Sequence, residues 1–89
     1  MDNELKQLGD FILKFTKFEF KEKNDDFTIW ARFHYEGITS TVEGWSTDKN
    51  DEIYISIWRV ILVMISEDTK KAHKIYLRNQ KLENILNKS

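Results

Sequence analysis

Between Phe27 and Tyr35 the chain alternates without a break. Phe27, Ile29, Ala31, Phe33 and Tyr35 fall on one side, and Thr28, Trp30, Arg32 and His34 on the other. A period of two over nine residues demands a β-strand with one buried and one open face, because successive side chains of a strand point to opposite sides. Whatever this chain folds into must therefore supply a neighbour on each edge of that strand and a cover for one face. Glu36-Gly37 follows as a tight turn. Ile38, Ser40, Val42 and Gly44 then alternate with Thr39, Thr41, Glu43 and Trp45. On the other side, Phe18 and Phe20 alternate with Lys17, Glu19 and Lys21, and Glu22 to Asp26 has turn chemistry.

The turns propose a register. A two-residue loop at Glu36-Gly37 sets Tyr35 opposite Ile38, Ala31 opposite Val42 and Trp30 opposite Glu43. A loop at Asn24-Asp25 sets Phe20 opposite Ile29 and Phe18 opposite Ala31. Both pairings place the apolar sets on one face, which predicts a three-stranded antiparallel meander.

Helical spacing flanks the meander. Leu5, Leu8, Phe11, Ile12 and Phe15 form one stripe, with Asp2 or Asn3 available as a cap and an end between Lys14 and Thr16. Residues 53–65 are apolar nearly all round. Their β-branched content points to a strand. Glu52, Ser56, Arg59 and Ser66 instead recur on one narrow helical stripe, and the segment is read as a helix capped from Ser46, Thr47 or Asp48. Ala72, Ile75, Tyr76, Leu82 and Leu86 give a last amphipathic helix. The expected fold is α+β in the order α-β-β-β-α-α, a single domain over residues 1–89 with helices on one face of the sheet.

Composition bounds the function. A chain of 89 residues is one domain's worth and buries roughly 60–65% of its unfolded surface. It has no cysteine, hence no disulfide framework and no thiolate metal site. No basic segment precedes an apolar stretch at the N-terminus, and residues 53–65 are too short to span a bilayer. A cytoplasmic protein without a membrane segment is expected. Phe, Tyr, Met, Ile, Asn and Lys total 38 residues against 8 for Gly, Ala, Arg and Pro; this usage tracks AT-rich codons and points to a low-GC bacterium or one of its mobile elements. The net charge is −1, split between −4 over residues 1–48 and +3 over residues 49–89. That split suits an electrostatically oriented partner or two solvated faces.

Catalytic and cofactor signals are lacking. His34 and His73, the only histidines, have no metal-ligand spacing around them. Asp48 to Glu52 lacks the glycine and the closing glutamate of a calcium loop: Ile53 and Arg59 stand at those positions. No phosphate-binding loop, dinucleotide loop or nucleophile elbow is present. No cofactor and no enzymatic activity are expected.

Three groups remain as candidates. Trp30, Arg32, His34 and Trp45 share the polar side of the meander, where tryptophan and arginine suit an interface anchor or base stacking. The same face becomes core if a helix folds over it. Lys70, Lys71, Lys74, Arg78 and Lys81 form a basic face on the last helix, suited to phosphates, to an acidic protein or to solvent. Tyr54, Trp58 and Leu62 belong either to a central core helix or to a homodimer contact. The leading expectation is a small protein-binding module, an inhibitor, immunity or regulatory protein of a phage or other mobile element, that occludes a partner protein. The alternative is a nucleic-acid-binding module.

The order α-β-β-β-α is similar to that of double-stranded-RNA-binding domains. Those domains carry a Lys-Lys-x-Ala-Lys-like run at the start of the last helix, where this chain has the acidic stretch Ser46 to Glu52. A looser likeness to small antitoxin-like proteins rests on no diagnostic motif. The resemblance stops at the order of elements and assigns no family.

Overall fold

The computed structural model describes residues 3–87. Helix α1 (Asn3–Lys14) leads into strands β1 (Thr16–Lys23), β2 (Asp26–Tyr35) and β3 (Ile38–Asp48), followed by helices α2 (Ile53–Met64) and α3 (Glu67–Asn87). The strands form one antiparallel sheet in the order β1-β2-β3, so the α+β order expected from the sequence is the observed one. All three helices lie against one face of the sheet, here called the inner face.

Both hairpins close as the alternation dictates. Phe18 pairs with Ala31 and Phe20 with Ile29; Tyr35 pairs with Ile38 and Ala31 with Val42. Asn24 (φ 57°), Glu36 (φ 48°) and Gly37 (φ 80°) supply the left-handed backbone these two-residue turns require.

One pairing fails. Between Ile29 and Ala31 the β2–β3 register shifts, and Ile29 pairs with Trp45. Glu43 and Gly44 thus stand together opposite Trp30 in a β-bulge, with Gly44 at φ 82°. The extra residue reverses the parity of β3. Beyond it Trp45 and Thr47 turn inward, and Ser46 turns outward.

The inner face carries Phe27, Ile29, Ala31 and Phe33 from β2, all buried, which meet Leu8, Phe11 and Ile12 of α1, Val60, Ile61 and Met64 of α2, and Ala72 of α3. Phe11 is the hub: its ring centroid lies 5.0–5.5 Å from those of Phe15, Phe33, Tyr35, His73 and Tyr76. Tilted and edge-on aromatic pairs at such separations add to the area they bury.

Residues 53–64 are helical, as the polar stripe implied. The expected caps are not caps. Ser46, Thr47 and Asp48 are strand residues, and Glu52 takes the cap position without a side-chain hydrogen bond. Buried Thr47 instead donates to Asp51 Oδ2 (2.9 Å) and lies 3.3 Å from Ser56 Oγ. Arg59 Nη1 donates to the same carboxylate at 2.7 Å. The Thr47 and Arg59 hydrogen bonds, in that order, hold the Asp51 carboxyl below its usual range. This cluster ties the end of β3 to α2. Asn3 lies within α1 rather than ahead of it, and Asp2 falls outside the described residues.

Helix α3 opens on a reciprocal cap. Ser66 N donates to Thr69 Oγ1 (2.8 Å) and Thr69 N to Ser66 Oγ (3.3 Å), satisfying two backbone donors at once. The 21 residues of α3 span about 31 Å at 1.5 Å per residue. The molecule measures 56 × 27 × 23 Å.

Candidate functional site

The outer face of the sheet is uncovered by any described element. Strand β2 places Trp30, Arg32 and His34 along its centre, and all three are exposed. Trp30 retains 40% of its accessible surface. The alternation that buries Ala31 and Phe33 fixes these three side chains outward.

Each has a defined neighbourhood. The Trp30 ring lies beside the bulge: a Cβ on Gly44 would stand 3.8 Å from Trp30 Cζ2. Glycine at that position therefore gives the backbone its positive φ and keeps the strand surface low next to the indole. Across β1, Trp30 pairs with Glu19 and Arg32 with Lys17. Arg32 and Lys17 make no ion pair among the described residues, so two like charges sit directly opposite each other, an arrangement that disfavours the free sheet. Glu19 is engaged with Lys21 at 3.6 Å. His34 Nδ1 and Thr39 Oγ1 are hydrogen-bonded at 2.9 Å across the β2–β3 pair, which holds the imidazole against the strand.

Two depressions follow the face. One, of about 590 Å³, is lined by Lys17, Glu19, Trp30, Arg32, Thr41 and Glu43 together with Phe18 and Ala31. The other, of about 620 Å³, runs from Lys14 and Phe15 past Lys17 and Arg32 to His34 and Thr39. They share Lys17 and Arg32, so an aromatic end and a histidine end meet at a doubly positive centre.

Trp45, expected on this face, belongs to the opposite one. The bulge turns it inward, where it is half-buried against the core. The signal was a glycine inside a strand pattern, which marks a bulge; counting Gly44 as an ordinary inward residue carried the alternation one position too far. Lys17 lies on this face as its alternation with Phe18 implies, and Gly44 lies beside Thr28 and Trp30 on it rather than with the inward residues of β3.

The other candidate groups separate. Lys70, Lys71, Lys74, Arg78 and Lys81 are exposed on α3, away from the outer sheet face. Of the α2 trio, Tyr54 is 67% and Leu62 44% exposed. Trp58 is half-buried: its six-membered ring lies against Gly9 of α1, where a Cβ would overlap it. Its Nε1 is buried without a hydrogen-bond partner among the described residues. Trp58 therefore joins α1 to α2 in the core, and Tyr54 and Leu62 do not.

Among the described residues no three His, Cys, Asp or Glu side chains gather as metal ligands. No described helix is long and apolar enough to cross a membrane. Comparison with known proteins finds no matching family, no matching curated protein and no matching solved structure.

Proposed function

We propose that the chain is a non-enzymatic protein-binding module that occludes a partner protein with the open face of its sheet. The observation that carries this is the setting of Trp30: an exposed indole fixed on the central strand beside an unpaired Lys17–Arg32 pair. An aromatic anchor next to unsatisfied cations suits a partner that offers an apolar cleft rimmed by carboxylates. Glu19 and Glu43 flank the indole, and such carboxylates oppose a phosphate backbone, which favours protein over nucleic acid for this face. The basic face of α3 is the part of the molecule that suits a polyanion, and it supports the second reading.

The test compares capture of a partner from a lysate of the source cells by the wild-type chain, Trp30→Ala, Lys17→Glu/Arg32→Glu and Lys74→Glu. The wild type and Lys74→Glu should retain the same protein. Trp30→Ala should lose it, with affinity down by roughly thirtyfold or more, as for a hot-spot residue at ≥ 2 kcal/mol. Circular dichroism should be unchanged. Retention by Trp30→Ala, or its unfolding, overturns the assignment of this face. Intrinsic fluorescence titrated with oligonucleotides separates the alternative: a change that vanishes between low and physiological salt would identify a polyanion partner.

A further inference from the structure

The core-facing stripe of α3 does not stop where the domain stops. Ala72 is buried, and Tyr76 packs against Phe11. Asn79 donates through Nδ2 to Tyr35 Oη at 3.1 Å. Beyond it the helix runs on through two more turns to Asn87. Leu82 is 53% and Ile85 59% exposed there. An amphipathic helix that outruns its own core presents an apolar stripe to whatever lies beside it.

The stripe has a recognisable period. Ile75, Asn79, Leu82 and Leu86 follow one another at spacings of four, three and four, the d-a-d-a sequence of a heptad seam. In that frame Arg78 occupies a g position and Glu83 the e position five residues later. Neither makes an ion pair among the described residues.

We propose that α3 pairs with α3 of a second copy of this chain, in parallel, along Ile75, Asn79, Leu82 and Leu86. Charge complementarity selects this occupant and this direction. In a parallel pair each Arg78 faces the Glu83 of the other copy, so two opposite-charge contacts close the seam from both sides. Asn79 then meets Asn79. Its amide keeps one N–H and the carbonyl oxygen beyond the bond to Tyr35, enough for a reciprocal hydrogen bond across the two-fold axis. An antiparallel pair would set Asn79 against Leu82 and Arg78 against Ile85, leaving the remaining amide groups of Asn79 and both charges without a counterpart across the seam. A polar residue at a single a position fixes register at a cost in affinity. Two heptads are also short, so the dimer forms by mass action at raised concentration.

This association is independent of the outer sheet face, and its test does not need the partner of that face. Sedimentation equilibrium of the full chain over about 5–300 µM, a range chosen for a mass-action dimer, should show the mass rising from 10.7 kDa toward twice that value. Leu82→Lys, at an exposed position, should keep the helical content and remain monomeric at the highest concentration. Arg78→Glu should weaken dimerisation at least tenfold, and Arg78→Glu/Glu83→Arg should recover most of the loss. A wild-type monomer throughout overturns the proposal. So does a dimer that survives Leu82→Lys, including one lost on Leu62→Lys, which would place the contact on α2. Failure of the double reversal to recover dimerisation overturns the parallel pairing.

Discussion

Gly9 illustrates how one residue can act against its own helix and still be required. Alanine there would gain about 1 kcal/mol of helix propensity. The new Cβ would overlap the Trp58 ring, and overpacking a core contact costs typically 1–3 kcal/mol. Gly9→Ala should therefore lower the urea midpoint. In a Trp58→Phe background, where the overlapping ring atoms are gone, the same substitution should be neutral or stabilising. Equal effects in the two backgrounds would remove the steric account. His73 supplies a second single-residue effect. It is half-buried on α3 with its ring 5.0 Å from that of Phe11, and burial lowers its pKa from 6.5. Below pH 6.5 the unfolded chain takes up the proton before the folded one, so stability falls as pH falls through this window. His73→Gln should flatten that slope in urea denaturation measured from pH 7.5 downward; an unchanged slope would assign it to other groups.

At the scale of elements, the bulge in β3 is where local rules and tertiary demands diverge. Gly44 at φ 82° occupies a backbone region that costs an L-residue roughly 1–2 kcal/mol. Gly44→Ala has room for its methyl group, since the nearest atom is Thr28 Cγ2 at 3.7 Å, so the conformational cost should appear alone. A drop in Tm of about 5–10 °C follows for a domain of this size. A stable Gly44→Ala would mean that the bulge relaxes into regular pairing. The bulge also marks where the fold ceased to be legible. Up to Val42 the alternation and the two turns determined every strand pairing, because period two leaves no freedom once a turn is fixed. After it, parity depended on an insertion whose only trace was one glycine. Residues 53–64 were legible as a helix from Ser56 and Arg59, and both serve the β3–α2 junction: Ser56 beside Thr47, Arg59 on Asp51. The expected caps failed because Thr47, read as a helix start, is a buried strand residue held by that junction.

For the whole molecule, a binary pattern states which residues share a face but not what covers it. Alternation in β2 separated Trp30, Arg32 and His34 from the core residues correctly. That no helix lies over them follows from three helices competing for the same inner face, a property of the assembled chain. Trp58 shows the converse: grouped with Tyr54 and Leu62 by helical spacing, it is set apart by the gap that Gly9 leaves in a different helix. The charge split is spatial as well. The acidic first half contains α1 and the whole sheet, whereas the later half contributes the lysine-rich side of α3, so the two candidate surfaces differ in electrostatic character.

The reversal of parity in β3 also bears on how the length of this chain can vary. Losing one residue at Glu43 or Gly44 would send Trp45 into solvent and pull Thr47 out from beneath α2, unseating Asp51 and Ser56 with it. Lengthening the Glu36-Gly37 tip beyond the Tyr35–Ile38 pair would alter only an exposed connection, whereas shortening it would reset the register that the turn fixes. Insertions in related chains should therefore gather at the hairpin tip and spare the bulge, where the residue count sets which side of the sheet Trp45 and Thr47 face.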